Sequence, residues 1–159
     1  MNFITIKEYF YKFHSRLMLI LLIPIITFIV LYLQHSPDTF IPYESRHLNT
    51  IVVALIITAW LIYMVLHIKK IKSARNGKGL RQKLEKYFRI TIVRYLVIDA
   101  TSLMLAGAFS ITGNDYFTFV FIANLLVAAI FWPRAKKVSN DLRLRGDERQ
   151  MVYYKTDVL

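Results

Sequence analysis

The chain has 159 residues, 56% of them hydrophobic, with a mean hydropathy of +0.42, no cysteine and a formal net charge of +11. The length allows one ordinary domain, the missing cysteines exclude a disulfide scaffold, and the apolar content excludes a disordered chain. Segregation excludes a soluble core as well: apolar runs alternate with basic connections, the pattern of a polytopic membrane protein.

The first apolar run extends from Leu17 to Leu33, interrupted only by Pro24 and Thr27. Its helix is expected to begin earlier, because Thr5 and Glu8 stand at capping-box spacing. Pro24 should kink it by removing one backbone hydrogen bond. The run exceeds the ~7–15 apolar residues of a secretory signal, and no small-x-small cleavage site follows it, so a permanent anchor is expected. The second run covers Ile51 to Ile68, the third Ile90 to Ile111, and the fourth Phe117 to Trp132.

A helix rises about 1.5 Å per residue, so roughly 20 residues cross a hydrocarbon core about 30 Å thick. The first and fourth runs reach that length only with Arg16, Tyr32, Tyr116 and Trp132 at the interfaces, where aromatic rings and snorkelling cations are stable. None of the runs alternates polar with apolar residues, as a membrane barrel requires. The expected fold is therefore all-α: four transmembrane helices in up-down-up-down order.

Charge sets the orientation. Lysine and arginine number three in residues 1–16, ten in 69–94 and seven in 133–159, against Arg46 alone on the other side. The positive-inside rule then puts both termini and the middle loop in the cytoplasm, with a bacterial inner membrane as the expected location. Topology alone accounts for these cations, and no aromatic-interleaved basic platform is present, so no nucleic-acid partner is expected.

The middle connection, residues 69–89, reads as a short basic helical hairpin. Asn76-Gly77-Lys78-Gly79 supplies its turn, and Leu80, Leu84, Tyr87 and Phe88 recur at helical spacing on its second arm. Anionic headgroups of the bilayer are its expected partner, with docking of an acidic partner as the alternative. Residues 133–159 form a cytoplasmic tail that opens as a helix after Pro133 and turns into a mixed-charge segment near Gly146. In the external loop, His35, Asp38, Glu44 and His47 are zinc-ligand types, but their spacing matches no motif, and no metal is expected. His14 and His67 fall at the cytoplasmic boundary and His35 and His47 beyond the opposite one, so no facing pair is placed to hold haem. No cofactor is expected.

Asp99 is the only acid in any span, two or three residues from the centre of the third. A carboxylate at that depth costs at least about 2.5 kcal/mol on insertion scales, so it should face protein or water. Thr91, Tyr95, Asp99, Ser102, Ala106 and Ser110 recur at steps of three or four and mark one polar, small-residue face. Tyr95 and Ser102 are the nearest partners on the same helix, and Asn124 in the fourth span is the best partner across helices. Arg94, five residues from Asp99, is expected to snorkel to the interface.

Asp99, Tyr95, Ser102 and Asn124 thus form the expected intramembrane polar cluster. There is no histidine box, no nucleophile elbow and no second membrane carboxylate, so no enzyme is expected. The favoured role is a non-catalytic scaffold or accessory subunit of a membrane complex, bound to another membrane protein or to itself. The alternative is a small proton- or cation-coupled transporter, working as an oligomer with Asp99 as its relay.

Overall fold

The computed structural model describes residues 5–34 and 46–155, without the side chains of 46–48. Among these residues are six helices: α1 (Ile6–Gln34), α2 (Arg46–Arg75), α3 (Leu80–Thr112), α4 (Asp115–Ile130), α5 (Ala135–Leu142) and α6 (Gly146–Tyr154). They hold 89% of the described residues, which places the chain in the all-α class. Three helices are long and apolar enough to cross a membrane: α1, α2 from Asn49 to Arg75, and α3. At 16 residues, about 24 Å at 1.5 Å per residue, α4 falls short by itself. It qualifies only together with α5, across the break at residues 131–134.

The chain divides into two compact units. One comprises Leu19–Tyr63 and Tyr95–Phe131. Its core is aromatic: Phe28 of α1 stacks on Phe121 of α4 with centroids 4.1 Å apart and meets Phe109 of α3 at 5.4 Å. Ile56, Leu105, Ala106, Ala108 and Phe117 complete it. Leu105 and Phe109 stand four residues apart on α3, as Phe117 and Phe121 do on α4, so each pair shares one helix face. The outer faces carry Leu19 61%, Ile62 58% and Phe119 72% exposed. Apolar exposure on this scale belongs in lipid, not water. Asn114 caps α4 by accepting the Tyr116 amide at 2.9 Å.

The other unit comprises Met1–Met18, Met64–Arg94 and Trp132–Leu159. Ile6, Tyr9, Phe10, Phe13 and Leu17 form a buried stripe on α1, and Thr5 caps that helix by accepting the Glu8 amide. The stripe packs on Leu84, Tyr87 and Phe88 of α3: Phe13 and Phe88 stand 5.1 Å apart, and the Tyr9 hydroxyl donates to the Leu84 carbonyl at 3.1 Å. The first half of this stripe precedes the apolar run, so α1 serves two environments with one continuous helix.

The tail belongs to the same unit. Val138, Leu142, Leu144 and Val152 are buried, and the mixed-charge stretch after Gly146 is helical. Its Glu148 pairs with Lys83 at 2.7 Å. Arg143 in the left-handed region ends α5, its amide and that of Leu144 returning to the Asn140 and Ser139 carbonyls. Leu84 is fully buried at the centre of this unit. Leu84→Ala is expected to destabilise it by about 2–5 kcal/mol, read as a lower unfolding midpoint of the detergent-solubilised protein.

Candidate functional site

The polar chemistry of the third helix is arranged in two places. Along α3, Ile98, Thr101, Ser102, Leu105, Ala106 and Phe109 are buried, recurring at steps of three and four. This is the face that meets α4. Asn124, buried on α4, points its side-chain amide at that face: Nδ2 lies 2.9 Å from Ser102 Oγ, 3.0 Å from Thr101 Oγ1 and 3.2 Å from the Ile98 carbonyl. One helical turn toward the start of α3, the buried Tyr95 hydroxyl donates to the Ala128 carbonyl at 2.9 Å. Thr101 in turn donates back to the carbonyls of Val97 and Ile98. Asn124 and Tyr95 therefore tie α3 to α4 at two levels through donors that have no water to fall back on.

Of the four residues expected to cluster, the structure joins Asn124 to Ser102 and sets Tyr95 on the same helix pair. Asp99 stands apart from these bonds. It is half-buried, and its Oδ1 is enclosed with no hydrogen-bond partner among the described residues. The stripe drawn through Asp99 and the face that packs α4 overlap at Tyr95, Ser102 and Ala106, but Asp99 lies at the margin and Ser110 is exposed. The packed face is centred on Ile98 and Thr101, each one residue before a member of the stripe. Thr101 is the group that sequence reasoning passed over. Its signal was present in the spacing from Ile98 to Leu105, which puts it on the same apolar face.

The second polar group lies in the other unit. Arg94 is 4% exposed, and its Nη2 donates to Nε2 of His67 on α2 at 2.9 Å. An acceptor on the neighbouring helix thus holds the guanidinium within the protein. Asp141 of α5 is the hub of the remaining bonds, accepting from Tyr87 at 2.8 Å through its carboxylate and from Arg75 Nε at 2.8 Å through its backbone carbonyl. Burial, and then the Asp141 charge, push the Tyr87 phenol well above its usual range, so it remains a donor. His14 reaches the Pro133 carbonyl at 3.0 Å and lies against Trp132. The Asp141 bonds fasten α5 to the end of α2 and the first part of α3, and the His14 contacts fasten the segment before α5 to α1.

Among the described residues no three His, Asp or Glu side chains gather as metal ligands. The external set of His35, Asp38, Glu44 and His47 lies outside the residues whose side chains are described. Comparison with protein-family models, curated proteins and solved structures finds no match for this chain. Its chemistry therefore has to be read from the two polar groups themselves.

Interhelical hydrogen bonds within a membrane contribute about 0.6 kcal/mol each on average, up to about 1.7. Asn124→Ala removes a donor shared among three acceptors and is expected to cost about 1–2 kcal/mol, while Tyr95→Phe should cost about 0.6 kcal/mol. Unfolding in mixed micelles of increasing denaturing detergent gives both values, and an Asn124→Ala midpoint equal to wild type would show that the α3–α4 tie is idle.

Proposed function

We propose that this chain is a small integral membrane protein acting as a non-catalytic scaffold or accessory subunit of a membrane complex, gripping its partner through the third span. The carrying observation is Asp99: a buried carboxyl oxygen without a hydrogen-bond partner among the described residues, while Tyr95, Ser102 and Asn124 are engaged in tying α3 to α4. Leaving a buried polar atom unpaired costs about 1–3 kcal/mol, and a donor from a neighbouring chain relieves that cost. An ion relay has less support, since it needs further ionisable groups in line with the acid, and Asp99 is the only acid in any span.

The frame of this proposal is an up-down-up-down bundle of four spans, about 17–33, 51–68, 90–111 and 117–132, in a bacterial inner membrane with both termini cytoplasmic. Twenty of the 21 lysines and arginines on three segments support that orientation. A basic hairpin at 69–89 is supported by the end of α2 at Arg75, the start of α3 at Leu80, and the approach of Lys86 Nζ to the Ser73 carbonyl at 3.5 Å.

Because the chain has no cysteine, single-cysteine variants report its topology cleanly. S36C should react with an impermeant thiol reagent added outside intact cells and S73C should not; same-side reaction refutes the orientation. For Asp99, the leucine variant should lose the co-purifying partner, whereas D99N keeps a donor and an acceptor and should retain it. If vesicles holding the wild-type protein conduct protons or cations and D99N vesicles do not, the transporter reading replaces this one.

A further inference from the structure

We infer that the cleft between Lys70 and Ser73 of α2 and Lys86, Arg89, Ile90 and Val93 of α3 binds the phosphate headgroup of one anionic phospholipid. The inference rests on the proposal that α2 and α3 cross the bilayer with residues 69–89 on the cytoplasmic side. The cleft has a volume of about 280 Å³. Its α3 wall follows the spacing i, i+3, i+4, i+7 from Lys86, so the two cations and the two apolar residues share one helix face. Across from them, Lys70 and Ser73 stand three apart on α2 and share a face in turn.

Charge balance leaves the cations that line this cleft unmatched. Nearby acids are already matched: Glu85 faces Arg81 at 3.8 Å and Glu148 holds Lys83 at 2.7 Å. Lys70, Lys86 and Arg89 pair with no carboxylate among the described residues. Three cationic residues without a carboxylate partner among the described residues and one serine line a single opening, and ammonium, guanidinium and hydroxyl donors are the recognition chemistry of a phosphate. The positive-inside rule accounts for the number of cations on this segment but not for their gathering on one stripe.

The apolar pair decides between a lipid and a free phosphate. Ile90 is buried at 7% exposure, Val93 is 38% exposed, and both begin the third apolar run. A water-soluble phosphate gains nothing from them, whereas a phospholipid lays its glycerol and first methylenes there. A second cleft, lined by Asn49, Thr50, Val53, Ala54, Ile57 and Tyr116, has no charged lining residue and offers no such pairing.

Full-length protein in nanodiscs of phosphatidylcholine doped with phosphatidylglycerol, released and weighed intact, tests the assignment. One phosphatidylglycerol should be retained in preference to phosphatidylcholine. Removing a cation near the surface weakens such binding about fivefold, so K70Q/K86Q/R89Q should lose at least about tenfold, up to on the order of a hundredfold. An equal-charge control, K69Q/K72Q/K78Q, should stay within about twofold of wild type.

Equal loss in both triple variants, or no lipid preference, overturns the site in favour of diffuse charge. Glycerol phosphate binding as tightly in neutral nanodiscs as the lipid does in doped ones overturns the lipid as the source. A phosphatidylglycerol with a photoreactive tail, used on the unmodified protein, should label the stretch from Lys86 to Val93; labelling only elsewhere overturns the site whatever the variants do. External reaction of S73C would instead sink the topology, so the two failures are told apart.

Discussion

Inside hydrocarbon a polar group has only the protein to bond with, and the pairing of α3 with α4 follows from that constraint. Asn124, on the largely apolar α4, finds two hydroxyls and a carbonyl on its neighbour within a single turn. Helix association in lipid has little hydrophobic driving force, so such bonds and close packing supply what burial supplies in water. The small residues Ala106 and Ala108 allow that approach, and the stacked Phe28 and Phe121 bring α1 to the same core. The register of α4 on α3 is set by the amide and the Tyr95 hydroxyl together, because slipping by one residue would strand both donors.

The second unit is built by a different physics. There the buried stripe of α1 from Ile6 to Leu17, the start of α3 and the two tail helices bury apolar side chains as a water-soluble domain does. It also holds paired polar groups: Arg94 with His67, Tyr87 with Asp141, Lys83 with Glu148. A chain this short cannot support two large cores, so continuous helices α1, α2 and α3 carry an apolar face for lipid along one stretch and a mixed face along the next. That economy explains why the basic segments are ordered and not merely tethered.

Function, on this view, resides in what the internal bonds leave over. Donors and acceptors that fix the helix pair are consumed by it and are not free for substrate chemistry. Among what remains are a buried carboxyl oxygen on Asp99 and a group of cations on the faces of α2 and α3. The first is suited to a neighbouring helix with a donor, the second to a phosphate at a membrane surface. Both are binding features, which fits an accessory role better than turnover.

The apolar runs made the helical class and the three long apolar helices legible without coordinates, because hydropathy acts residue by residue. Helical spacing likewise marked Tyr95, Ser102 and Asn124 as polar groups that had to be turned inward. It did not tell which of them would meet. The face drawn through Asp99 and the face centred on Thr101 differ by a fraction of a turn, and only the packing of α4 chose between them. Arg94 shows the same limit, since its burial depends on His67, 27 residues away, being brought within 2.9 Å. The fate of the tail was equally hidden: Val138, Leu142 and Val152 are buried in a tail that the Tyr87–Asp141 and Lys83–Glu148 contacts hold to α3. Local pattern fixes what each residue requires of its surroundings, and tertiary packing decides which neighbour meets that requirement.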